Sequence, residues 1–187
     1  MATAATGIIN IPKIESIKGN LIVGNAPSIT GLRADFLSRI DGQFMITNLS
    51  ILSMLTFPKL SRVTDLVLDE LPNLSQLGID IQNAANIFIG QNGILQNITL
   101  YTQTVQQNLT IVSNGNSVQR ISLPDLTAIG GSLNIACNTG LSTLSFPSLS
   151  NIGGVMDIQG NIPLHKLEWP ALHELVGGAM VKEDIPT

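Results

Sequence analysis

The sequence predicts an all-β fold, a parallel solenoid of leucine-rich turns, and three observations predict it. The chain repeats itself every 22–23 residues, about eight times over. Each repeat carries an apolar-x-apolar step with the period of a strand. Gly and Pro return at fixed places, which breaks any run long enough for a helix.

The repeat is plainest near the C-terminus. LPDLTAIGGSLNIACNTGLSTLS (123–145) is followed by FPSLSNIGGVMDIQGNIPLHKLE (146–168) and WPALHELVGGAMVKEDIPT (169–187). Residues 11–33, 34–56 and 57–78 keep the same register, and two degenerate turns fill 79–99 and 100–122. The whole chain reads as one solenoid domain, with residues 1–10 as an N-terminal cap segment and 11–187 as the repeats. Within each repeat the two apolar residues of the strand step point to one side, because side chains alternate along a strand. These pairs are Leu21/Val23, Phe44/Ile46, Leu66/Leu68, Ile87/Ile89, Leu109/Ile111, Leu133/Ile135 and Met156/Ile158. A later Leu-x-x-Leu step supplies a second inward wall, from Ile29/Leu32 through Leu74/Leu77 to Leu164/Leu167. Stacking of turns buries both walls continuously. Pro12, Pro58, Pro124, Pro147 and Pro170 share a column that fits a corner, where no ladder N–H is lost. Gly19, Gly42, Gly131 and Gly154 share another, expected to be a tight turn with positive φ.

Composition narrows the function. Charged residues make up 12% of the 187, with a net charge of −4. No basic stripe is available to displace phosphate counterions, so a nucleic-acid partner is not expected, nor is a polybasic membrane contact. No apolar run reaches the roughly 18 residues of a transmembrane segment. Met1–Thr6 has neither the charged nor the apolar region of a signal peptide, which suits a cytoplasmic protein or a processed mature chain. Cys137 is the only cysteine, so no intrachain disulfide forms, and the expectation for a lone Cys is a small buried hydrophobe.

The runs LTAIGGSLNIACNTGLSTLSFPSLSNIGG and FPSLSNIGGVMDIQGN resemble fungal GPI-anchored cell-wall proteins with receptor L-domain-like leucine-rich repeats. The likeness is strong across 123–178, fair across 11–78 and weak across 79–122. It implies a right-handed parallel β-helix of the receptor L-domain-like type. It also implies a secreted, glycosylated, extracellular protein that serves wall integrity and has no catalytic residues to carry over. The cysteines that such proteins place in their terminal caps, and a hydrophobic anchor tail, are absent from this sequence.

Several residues are candidates for function. Ser142 with His165, and Ser150 with His173, share columns on adjacent turns, but no orienting acid accompanies either pair. No catalytic residue, metal ligand or cofactor is therefore assigned. A small isomerase or hydrolase working in a groove on the flank remains the alternative to a non-enzymatic surface protein. Four N-x-[ST] sequons occur, at Asn48, Asn73, Asn97 and Asn108, of which Asn97 and Asn108 are expected to face outward. Between Gln76 and Gln107 Asn and Gln dominate. Gln82, Asn83, Asn86, Gln91, Asn92, Gln96, Gln103 and Gln106 make either an amide ladder or a glycan-binding face with Tyr101 as its one stacking ring. Finally, the residue between the two inward members of each strand must face out. This column begins Ile22, Met45, Val67, Phe88 and continues Thr110, Asn134, Asp157. Its apolar start is a candidate contact for a protein partner or a second protomer, unless Thr6–Asn10 packs over it.

Overall fold

The computed structural model describes residues 7–182. Every strand pair in it is parallel, and the strands lie on three faces of a stacked coil. The broadest face is an eight-stranded sheet of β3 (Leu21–Gly24), β6 (Gln43–Thr47), β8 (Asp65–Asp69), β10 (Asn86–Gly90), β13 (Leu109–Val112), β16 (Leu133–Ala136), β19 (Met156–Gln159) and β22 (Ala179–Lys182). Consecutive turns thus place strands side by side, and the described residues contain no helix. The predicted solenoid of about eight turns is what forms.

A second face carries β1 (Gly7–Asn10), β4 (Ile29–Arg33) and β7 (Met54–Thr56), then β11 (Asn97–Thr99), β14 (Arg120–Ser122), β17 (Thr143–Ser145) and β20 (Lys166–Glu168). Between β7 and β11 one turn has no strand on this face, and the single bridge Phe57↔Ile79 spans the gap. Leu77 lies in that gap and is only half-buried. The third face holds short strands: β2 (Ser16–Ile17), β5 (Arg39–Ile40), β9 (Asn83–Ala84), β12 (Thr104–Val105), β15 (Ala128–Ile129), β18 (Asn151–Ile152) and β21 (Glu174–Leu175). Arg62 joins β5 to β9 through isolated bridges to Arg39 and Asn83.

The inward columns are as the sequence predicts. Phe44/Ile46 through Leu133/Ile135 are buried, and so is the second wall from Ile29/Leu32 to Leu141/Leu144 apart from Leu77. Leu167, on the last described strand of its face, is 39% exposed. Phe44 and Phe57 pack with ring centroids 4.8 Å apart. The proline column sits at a corner. There Ile11, Phe57, Leu123 and Phe146, each before a proline, donate their N–H groups to the next turn, and the proline rings lie toward the outside.

Two expectations need correction. Gly19, Gly42, Gly131 and Gly154 are not in positive φ. All but Gly19 are there because adjacent turns nearly touch: a Cβ on Gly131 would lie 2.7 Å from Gln107 O, and one on Gly154 2.7 Å from Gly131 C. Positive φ belongs instead to the residue after each broad-sheet strand, and there it is mostly not glycine: Asn25, Asn48, Glu70, Gln91, Ser113 and Cys137, with φ of 51–57°. Cys137 is consequently exposed at a left-handed corner and is not a core residue.

The residue after that corner turns inward. In the first turns it is Ala26, Leu49 and Leu71; from the fourth turn it is Asn92, Asn114, Asn138 and Asn161. These four asparagines are 0–3% exposed and bond to one another as a ladder. Asn92 Nδ2 donates to Leu68 O (3.1 Å) and Asn114 Oδ1 (3.0 Å), and its Oδ1 accepts the Leu71 N–H (3.1 Å). Asn114 donates to Ile89 O and Asn138 Oδ1, and Asn138 to Ile111 O and Asn161 Oδ1. The backbone N–H groups of Asn92, Asn114 and Asn138 each donate to the next asparagine's Oδ1. A left-handed corner aims one N–H inward, and the amide of the following turn satisfies it.

Candidate functional site

The apolar stripe forms in the predicted register. Ile22 pairs with Met45, Met45 with Val67 and Val67 with Phe88, so four apolar side chains stand in line on the outer face of the broad sheet. Strand spacing makes the line roughly 14 Å long. Ile22 is 54% exposed, and the other three are half-buried by flanking side chains. Phe88 leans along its own strand: a Cβ on Gly90 would meet its ring Cε1 at 2.7 Å, so Gly90 is the bed on which the ring lies. Residues 7–10 do not cover the stripe. They form β1, which pairs with β4 on a different face, and Thr6 lies outside the described residues. Beyond Phe88 the column turns polar, and Asn134 Oδ1 and Asp157 Oδ1 stand on adjacent strands, buried and without a hydrogen-bond partner.

The serine and histidine columns align without forming pairs. Ser142 Oγ donates to Gln119 O (3.0 Å) and Ser150 Oγ to Thr127 O (3.0 Å), each toward the preceding turn. The histidine rings bend to their own backbone, with His165 Nδ1 2.9 Å from Pro163 O and His173 Nδ1 2.9 Å from Ala171 O. Neither serine is held by a base. Among the described residues no three His, Cys, Asp or Glu side chains converge as a metal site. Nor is any helix there long and apolar enough to cross a membrane.

All four sequon asparagines are exposed, but their amide nitrogens differ. Asn48 Nδ2 donates to Asn25 Oδ1 (2.7 Å), Asn73 Nδ2 to Ser50 O, and Asn108 Nδ2 to Asn86 Oδ1 (3.3 Å). Asn97 Nδ2 makes no hydrogen bond among the described residues. Tyr101 stands 50% exposed in the corner column that holds proline on five other turns, with its N–H donated to Asp80 Oδ1 (3.3 Å). The corner separates it from the apolar stripe. Of the amide-rich run, only Asn92 enters the buried ladder; Gln82, Gln91, Gln96, Gln103 and Gln106 are exposed, and Asn83 and Asn86 half-buried.

One feature of the third face was missed from the sequence. Arg39 and Arg62 stand on adjacent turns beside a shallow groove of about 330 Å³, which Asp41, Thr64, Asn83 and Gln106 also line. The available signal was two arginines 23 residues apart, one repeat length.

Fold and surfaces together define a parallel β-solenoid with unequal faces and no assembled catalytic group among the described residues. No family model matches the chain, and no solved structure matches it. The chain is distantly related to a fungal cell-wall protein: it is 25% identical to cell wall protein ecm33 of Schizosaccharomyces pombe, across 59% of this chain. The matched stretch is 32% of that protein's length.

Proposed function

We propose that the chain is a non-enzymatic component of the cell surface or wall, outside the membrane. The observation that supports this reading most is the relation to a cell-wall protein over more than half of the chain, in a fold that offers extended faces. Glycosylation at Asn97 belongs to the same reading, as do a leucine-rich-repeat ancestry and a GPI anchor. The test is a tagged copy of the natural gene product in a fungal host, followed by extraction of washed walls and enzymatic deglycosylation. Retention in the wall fraction, with a mass shift that N97Q abolishes, is the expected result. A tag found only in the cytosolic supernatant overturns the reading.

The apolar stripe is the contact surface of this reading, and its occupant is the same stripe of a second copy. A two-fold contact matches a surface to itself, and this one is flanked by polar residues as an interface core is. Replacing Met45 and Val67 by Thr removes apolar area from its centre. Sedimentation of wild type should then show a dimer that M45T/V67T converts to monomer. A wild type monomeric at all accessible concentrations removes the contact.

A further inference from the structure

We propose that the groove at Arg39 and Arg62 binds an oxyanion carried on a sugar, either a uronate carboxylate or a sugar phosphate. The column to which both arginines belong holds Ser16, Asn83, Thr104, Ala128, Asn151 and Glu174 on the other turns, so two stacked cations are not part of the repeat. The bridge Arg39↔Arg62 sets their backbones one strand spacing apart, roughly 4.8 Å. Like charges so close repel unless anions lie between or beside them. Asp41 serves Arg39, whose Nε donates to its carboxylate. Among the described residues no carboxylate lies within salt-bridge distance of Arg62, whose planar fork of donors is left for a ligand.

The next turn adds donors of the right kind. Thr104 Oγ1 donates to Asn83 Oδ1 (3.0 Å), which fixes the Asn83 amide so that its nitrogen is the group left to bond elsewhere. Thr64 Oγ1 donates to Asp41 O (2.6 Å), which leaves its oxygen as an acceptor for a sugar hydroxyl, and Gln106 offers both roles at the far end. Regional charge favours the same ligand. Residues 1–62 hold six of the nine Lys and Arg but three of the thirteen Asp and Glu, a local balance of +3 in a chain of −4.

A sugar fits this groove better than an acidic peptide does. The strands bordering it are paired on both sides, so no open edge is offered to a peptide backbone. Its apolar members Ile40, Val63 and Ala84 are buried inward, so no side-chain anchor is exposed either. What remains on the rim is guanidinium, amide and hydroxyl, with the small half-buried Ala85 and the Asp41 carboxylate that Arg39 engages.

The experiment is calorimetric titration of the full chain with a glucuronic acid oligomer, glucose 6-phosphate, inorganic phosphate, a neutral glucose oligomer and an oligoglutamate peptide. At least one of the two anionic sugars should bind, with affinity that falls as salt is added, while the neutral oligomer does not. R62Q should weaken that binding about ten-fold or more, and R62K less, because it keeps the charge but loses the fork. K59Q, which removes a charge outside the groove, should bind about as wild type does. The circular dichroism of R62Q checks its fold, and the exposed position of Arg62 makes a native spectrum the expected one. Which sugar binds separates uronate from phosphate recognition. Inorganic phosphate or the peptide binding as tightly as either sugar overturns the saccharide assignment. No binding of any anion, or binding unchanged in R62Q, overturns the site.

Discussion

The first three turns and the last four turns of the solenoid solve the same corner in different ways. In both, a residue in positive φ swings the chain out of the broad sheet, and the following residue turns into the core. Toward the C-terminus that residue is Asn92, Asn114, Asn138 or Asn161, and each backbone N–H from Leu71 to Asn138 meets the Oδ1 of the next turn. Toward the N-terminus it is Ala26 or Leu49, and the neighbour on the next turn is hydrocarbon. The amide turns gain directed bonds that fix the register of one turn on the next, while the aliphatic turns gain apolar burial and leave an inward N–H with no such oxygen. A buried polar column is stabilising only when every member is satisfied, and this one is filled from Leu71 onward.

Breaking the ladder in the middle should have the largest effect. Asn114→Ala strands the Asn92 N–H, leaves Asn92 Nδ2 with Leu68 O alone and withdraws a side-chain donor from Ile89 O and from Asn138 Oδ1. Urea unfolding should show a loss of about 3 kcal/mol or more, since each buried unsatisfied group costs about 1–3. The boundary sharpens the comparison. Leu71→Asn would extend the ladder by one rung and give the Leu49 N–H an acceptor. Leu49→Asn would place an amide whose own N–H still faces Leu71. L49N should therefore be the less stable of the two, by about 1 kcal/mol.

The glycine column gives a smaller contrast. Gly131→Ala puts a methyl against the preceding turn and should cost about 1–3 kcal/mol, whereas Gly19→Ala meets nothing within 4 Å and should stay within about 0.5 kcal/mol of wild type. Smallest is the surface pair Lys166–Glu168, 2.8 Å apart. The hydrogen bond from Lys166, helped by Ser145, holds the Glu168 carboxyl below its ordinary value. A lowered folded-state value means that its contribution is present above the unfolded value and is lost as pH falls through the folded one. In K166Q the Glu168 titration followed by NMR should move up toward the free carboxylate; an unmoved curve would assign the lowering to Ser145.

Much of the fold was legible because strand periodicity and repeat length reinforce one another. Leu133/Ile135 and its equivalents recur at one place per turn, and only a stack of turns can bury them all. The outward stripe was legible for the same reason, since Met45 lies between two inward residues. The asparagine ladder was not. Its members are 22, 24 and 23 residues apart, its earlier positions are Ala26, Leu49 and Leu71, and the surrounding sequence is rich in amides that stay at the surface. The glycine column was read as a conformational need, whereas its cause is the neighbouring turn, which a single repeat does not display. The Arg39–Arg62 pair escaped because charge was summed over the whole chain and not turn by turn.

The ladder also governs how the protein ages. Asn92 and Asn114 are each followed by glycine, the neighbour that least hinders attack of the next backbone nitrogen on an asparagine side chain. That attack expels ammonia and, after hydrolysis, leaves aspartate or isoaspartate. In the fold both side-chain amides are tied at nitrogen and oxygen to carbonyl oxygens and amides of other turns, away from the geometry the ring closure needs. Once the chain unfolds, that restraint is gone. An aspartate at 92 or 114 would then face carbonyl oxygens with a charge and no donor to give, so the turn could not close again. Each stay in the unfolded state therefore removes a fraction of molecules for good, and the practical lifetime of the protein is set by how rarely it opens.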